Sequence, residues 1–271
     1  MDINFFLQLV INGLVVGSVY SLVALGFVII FKSTGVVNFA QGEFLLLGAY
    51  ISLAVVGQYH VPFWVAVIIT LVFSVLLGML IERLILRPMI GEPVISVIMV
   101  TLGLSSVLKA IVQGIWGTDT RPFPEIFPST PIQIGPLPVS QGYIYSVVCV
   151  AILLLLFTLF FKYSRAGVAM RATAFSQQVA QSMGISVRRM FALAWAIAAV
   201  VSAIGGILLG GVRGGVDAAL AAIGLKVIPV VILGGLDSII GAIVGGLIVG
   251  VLENNAGGYL DPQFGGGVKE V

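Results

Sequence analysis

Charge is what this sequence has least of. Among 271 residues there are 13 Lys and Arg, 11 Asp and Glu and one His, so 9% of the chain is charged against roughly 25% in an ordinary globular domain. With 59% hydrophobic residues, such a chain could not cover its own apolar surface in water, and it reads as a membrane protein. The net charge of +2 gives no footprint for nucleic acid. Cys149 is the one cysteine, which excludes a disulfide framework or a cysteine-built metal site within the chain, and inside an apolar run it reads as a packed small hydrophobe. His60 stands beside Pro62 without a neighbouring carboxylate or second His, so no metal or cofactor is expected there. No G-x-x-x-x-G-K-S/T phosphate loop is present, and no cluster of His, Asp or Cys could assemble a catalytic site. Any ATP must be handled by another chain. The opening Met1-Asp2-Ile3-Asn4 offers an acid and no base before a run far longer than a signal peptide core, so that run reads as a retained helix.

What is abundant is long apolar sequence. A helix needs about 20 apolar residues to cross the hydrocarbon, and cutting at the charges gives spans near 5–31, 62–81, 93–112, 143–161 and 191–212. Segments 39–56, 218–235 and 239–252 are hydrophobic but irregular, each with Gly, Pro or a polar residue near its start, and read as broken or re-entrant helices; the last is short for a full span. The expected fold is therefore an all-α polytopic membrane protein, one transmembrane domain over 1–271 with about eight hydrophobic segments. The loop 162–190 carries Lys162, Arg165, Arg171, Arg188 and Arg189 and no acid, which makes it cytoplasmic by the positive-inside rule. Counting back puts the loop 117–142, with six of the eleven prolines, outside, and the N-terminus outside as well; this topology needs 39–56 to cross. Gly13 with Gly17, Gly206 with Gly210, Gly241 with Gly245 and Gly246 with Gly250 are spaced four apart, as in closely packed or dimerising transmembrane helices.

Two segments resemble each other. In Asn38-Phe39-Ala40-Gln41-Gly42 and Asp237-Ser238-Ile239-Ile240-Gly241 a short polar side chain suited to capping a helix precedes a glycine by four residues. Such an internal repeat is the pattern of a transport pathway near mid-membrane, where helix starts and unwound backbone meet a polar solute; ordinary surface caps are the plainer alternative. Glu43, a carboxylate at the start of a lipid-embedded run, must face water or a partner. Lys109 sits near the end of its span and is expected to snorkel, while Lys226, three residues before Pro229, is more open. Asn12, Ser18, Tyr20 and Ser21 face either other helices or the pathway. The stretch Met170–Ile185 reads as one amphipathic helix with Ala172, Phe175, Val179 and Met183 along its apolar face, suited equally to lying on anionic lipid headgroups and to docking into a groove on another protein.

Asn38-Phe39-Ala40-Gln41-Gly42-Glu43-Phe44, the stretch from Arg171-Ala172 to Gly184-Ile185, the run Gly234-Gly235-Leu236-Asp237-Ser238-Ile239-Ile240-Gly241-Ala242 and Glu253 together resemble the inner-membrane permease subunits of branched-chain amino acid ABC importers, over essentially the whole chain. The resemblance implies a translocation pathway through Asn12, Tyr20, Asn38, Gln41, Glu43, Asp237 and Ser238. It also implies a cytoplasmic coupling helix formed by Arg171, Phe175, Val179, Ala180, Met183, Gly184 and Ile185, with Ala180 and Gly184 at the spacing of the importers' Ala-x-x-x-Gly signature and Gln178 where an acid often opens it. The implied partners are a second permease subunit, two cytoplasmic ATPases, a periplasmic substrate-binding protein and membrane lipid. Related permeases serve urea, short amides or aromatic acids; a stand-alone secondary transporter and a membrane enzyme are the rival classes. Permeases of this kind continue past Gly265-Gly266-Gly267-Val268-Lys269-Glu270-Val271 into a final apolar helix, which marks this sequence as a truncated part or as lacking that helix.

Overall fold

The computed structural model describes residues 3–125, 130–134 and 137–264. Long uninterrupted apolar sequence becomes long helix: α1 (Ile3–Thr34), α2 (Gln41–Tyr59), α3 (Phe63–Ile81), α4 (Val94–Trp116), α5 (Gln141–Tyr163), α8 (Val187–Arg213) and α10 (Ile239–Phe264), with the short α6 (Arg165–Phe175), α7 (Gln177–Ser182) and α9 (Ala222–Gly234) between them. Among the described residues seven helices are long and apolar enough to cross a membrane. Helix α1 is the buried axis, packed along α10 and α8, with α2 against α8, while α3, α4 and α5 turn most of their surface outward, as lipid-facing helices do.

Two of the three irregular segments differ from expectation, and the third, 218–235, is interrupted as expected. Segment 239–252 is part of the 26-residue helix α10, because Glu253 and Asn254, which end the apolar run by composition, find polar partners inside the bundle and the helix continues past them. Segment 39–56 is not broken: α2 runs unbroken for 19 residues, and the irregular backbone lies just before it, at 35–40. The interrupted crossing is 218–235, where a short strand β4 (Gly215–Val216) and a tight turn of helix (Ala218–Ala221) precede α9.

Contacts fix the ends of the bundle. Strand β1 (Arg121–Pro122) pairs antiparallel with β4, so the proline-rich loop and the C-terminus of α8 share one end with the hairpin β2 (Pro131–Ile134) and β3 (Leu137–Ser140). The start of α1 lies at that end too, where Phe5 meets Tyr259 of α10 edge-on. Pro128 and Pro136 of that loop, and the 265–271 tail, lie outside the described residues. At the opposite, basic end the Lys32 ammonium donates to the Asp237 carbonyl at 2.9 Å.

All four glycine pairs are occupied by contacts within the chain. Helices α1 and α10 cross antiparallel at backbone contact: a Cβ on Gly17 would stand 2.7 Å from the Gly246 carbonyl oxygen, and one on Gly13 2.6 Å from the Val251 Cα. Gly206 packs against the backbone of Leu45, Gly210 against Phe123, and Gly241 and Gly245 against α9. Their function here is internal close packing, the use that small residues most often serve in membranes.

Candidate translocation pathway

Between α1 and α2 the chain turns back into the bundle. Gly35 leaves the helix at φ +73°, and residues 35–40 climb until Gln41 lies beside Gly26, about 9 Å back along α1 from Lys32 at 1.5 Å per residue. Non-helical backbone at membrane depth survives only when protein satisfies it, and Asn38 and Gln41, both fully buried, do this. The Asn38 carbonyl oxygen of the side chain accepts from Ala40 N at 3.0 Å, and its amide donates to Gln41 Oε1 at 3.0 Å. Gln41 Nε2 in turn donates to Ser202 Oγ at 2.7 Å and to the Ala198 carbonyl at 3.3 Å, midway along α8. Immediately after it, Gly42 touches the Ala221 carbonyl and Gly224, so the starts of α2 and α9 meet inside the bundle. Glu43, 5% exposed, accepts from Ser105 Oγ of α4 at 2.8 Å.

A cavity of about 820 Å³ lies between the first half of α1, the turn before α9, α9 itself and the second half of α10. At its deep end Glu253 takes two donors, Tyr20 Oη at 2.7 Å and Lys226 Nζ at 2.6 Å. Arg213 and Asp261 line it nearer the proline-rich end, and Leu9, Val16, Ile223 and Leu225 supply its apolar surface. The formal charges on its wall are two positive and two negative. Of the sequence candidates, Tyr20 lines this cavity; Asn12 lines a separate one of about 270 Å³ between α1 and the β2–β3 hairpin. Asn38, Gln41 and Glu43 sit in the packed clamp instead. Asp237 and Ser238 are not at the depth of Asn38: they form the turn at the basic end, where Ser238, rather than Asp237, caps α10 by accepting from Gly241 N at 3.0 Å. The two segments differ because Asn38 closes a turn onto Ala40 inside the protein, whereas Ser238 fills the usual surface cap. Arg213 and Asp261 were missed by sequence reasoning, and Glu253 and Lys226 were not joined; two opposite charges in separate apolar runs were the available signal.

The stretch 170–185 is two helices, not one. Ser176 is extended at φ −158°, ψ 114°, and its hydroxyl accepts from Val179 N at 3.3 Å, so a serine mid-run restarts the helix. Phe175 (95% exposed), Val179 and Met183 project into solvent, whereas Ala180 is 2% exposed and packs inward. Gly184 ends α7 at φ +81°, Ile185 N donates to the Ala180 carbonyl at 2.9 Å, and Arg171 donates to the Phe161 carbonyl at 2.6 Å, tying α6 to the end of α5.

A bundle of spanning helices with buried irregular backbone and a charge-lined cavity at membrane depth defines a multi-pass membrane transport protein. The family model for the branched-chain amino acid transport system permease component matches residues 9–265, and the chain belongs to that family. It is 30% identical to the high-affinity branched-chain amino acid transport system permease protein LivH of Salmonella typhimurium, over 96% of this chain and 89% of the relative. It is 32% identical to the corresponding permease protein BraD of Pseudomonas aeruginosa, over 93% and 86%. A solved chain of PsaBC from Streptococcus pneumoniae in complex with Fab aligns over 98% of this chain and 86% of that one, with a TM-score of 0.50 and 15% identity, which shows a shared fold. As a permease component the chain is a membrane subunit and not itself an ATPase.

Proposed function

We propose that the chain is the membrane half-channel of an ATP-driven importer of branched-chain amino acids, with the cavity between α1, α9 and α10 as its share of the pathway. The observation that carries this is the composition of the wall. The Lys226–Glu253 ion pair at 2.6 Å, with Arg213 and Asp261 on the same wall, gives charges of both signs beside the apolar side chains of Leu9, Val16, Ile223 and Leu225, which suits a zwitterion with an aliphatic tail and favours it over urea or amides, which carry no charge. Tyr20 belongs to the lining, Asn38, Gln41 and Glu43 brace the helix start beside it, and Asp237 and Ser238 shape the turn that closes the basic end. In this reading the basic end is cytoplasmic and the membrane is the bacterial inner membrane.

The exposed apolar face of α9 and α10, which includes Leu233, Ile240 and Leu252, is where a second permease subunit completes the channel. Phe175, Val179 and Met183 form the knob that enters a groove on one of two cytoplasmic ATPases, held in place by Arg171, Ala180, Gly184 and Ile185. A periplasmic binding protein delivers substrate at the proline-rich end. The test is uptake of labelled leucine into vesicles holding the chain with a second permease and an ATPase. ATP-dependent leucine uptake, outcompeting urea and an aromatic acid, is expected; ion-driven uptake by this chain alone would overturn the reading.

A further inference from the structure

A second large cavity, about 710 Å³, opens on the lipid-facing side. Helix α3 follows α8 closely and α5 touches it only sparingly, so the two diverge over α8 and leave a groove floored by Ile207 and walled by Trp64 and Ile152. Its lining is aliphatic and aromatic, with Cys149 among it, except at the mouth, where Glu125 and Tyr145 stand. Trp64 (76% exposed) and Tyr145 (50%) sit at the level of the helix starts, where amphipathic rings mark the headgroup boundary. From Tyr145 to its deep end at Leu153 the groove descends eight residues of α5, about 12 Å. One leaflet of hydrocarbon is about 15 Å thick, half of the ~30 Å core. An apolar groove of this depth offers water no partners, and left empty it forfeits dispersion contacts along its whole wall. The occupant at hand in a bilayer is an acyl chain. The charge at the mouth selects its headgroup: Glu125 is acidic and exposed, and Arg121, the one base of residues 117–142, donates to the Trp116 carbonyl at 2.6 Å and 2.9 Å.

We propose that this groove is a phospholipid site of the leaflet at the proline-rich end, holding one acyl chain between α3 and α5 and a primary-ammonium headgroup against Glu125. The chain supplies retention and the carboxylate supplies choice, so the preference for an amine headgroup is about twofold to fivefold, the range that a solvent-exposed ion pair provides. Native mass spectrometry of the full chain, titrated with phosphatidylethanolamine and phosphatidylglycerol of identical acyl composition, reads this directly. The wild type is expected to retain one phosphatidylethanolamine in that excess. Glu125→Gln, in an exposed loop, should equalise the two lipids, and Ile152→Trp should reduce retention of both. Equal retention by the wild type, or a preference that survives Glu125→Gln, overturns the proposal.

Discussion

Replacing Gln41 by Leu tests whether one amide holds the irregular backbone at depth. The side chain is fully buried and makes three hydrogen bonds, two to α8 at 2.7 and 3.3 Å and one from Asn38 at 3.0 Å. Interhelical hydrogen bonds in a membrane average about 0.6 kcal/mol and reach about 1.7, so the pair to α8 contributes about 1–3 kcal/mol. Losing the third leaves the Asn38 amide without its acceptor in a sealed site, which costs about 1–3 kcal/mol. Ser202 is not orphaned, since a helical serine turns to the carbonyl four residues back, here Ala198. After about 1 kcal/mol regained from a buried aliphatic side chain, Gln41→Leu should destabilise the chain by about 3 kcal/mol. Ser202→Ala removes only the 2.7 Å bond and should cost about 1 kcal/mol. The double variant should also cost about 3 rather than 4 kcal/mol, because the shared bond is lost once; that gap exceeds the ~0.3–0.5 kcal/mol within which independent sites add. Reversible unfolding in mixed micelles measures all three. Additivity, or a Gln41→Leu effect no larger than that of Ser202→Ala, would refute the clamp.

Lys226→Met and Glu253→Gln should each lower leucine uptake at least about tenfold, the equivalent of about 1.4 kcal/mol in the transport barrier, with the double variant less impaired than the product of the two. Unchanged flux in both would move the pathway elsewhere. Phe175→Ser combined with Met183→Ser should abolish co-purification of the ATPase with a normally folded chain, whereas Ala180→Trp should reduce folded yield because that side chain points inward; retained ATPase with the double serine variant counts against the docking knob. Gly250→Val places a branched side chain against Gly17 and should cost about 1–3 kcal/mol or more by overpacking, seen as a lower unfolding midpoint in micelles.

Much of the architecture was legible in the sequence because hydrocarbon imposes a length rule and a charge rule together. The spans at 93–112, 143–161 and 191–212 became α4, α5 and α8 with ends shifted by a few residues, since only polar residues mark a boundary in such runs. Helix α10 was undercut at 252 because Glu253 and Asn254 look like an exit from the membrane; a charge that meets Tyr20 and Lys226 from distant segments carries no local sign of its partners. The irregular backbone expected within 39–56 lies instead at 35–40, because the turn back toward Ser202 depends on a contact 161 residues away. The coupling stretch failed as one helix for a local reason: its apolar period continues through Ser176, and periodicity does not register a hydroxyl that caps the next turn.

The antiparallel seam between α1 and α10 also sets a schedule for making the protein. Helix α1 enters the membrane first, with Ser21 and Tyr20 already in the hydrocarbon, yet the carbonyl that Ser21 shares lies 222 residues later and the carboxylate that receives Tyr20 lies 233 residues later. At about 5–20 residues per second of synthesis, the first helix waits roughly 10–45 s for the surface it is shaped to meet. During that interval its glycine face is an open small-residue surface that any passing helix can occupy. A ribosome stalled before α10 would therefore leave the most buried helix of the finished protein with its glycine face uncovered, a natural target for membrane proteases that remove unfinished chains.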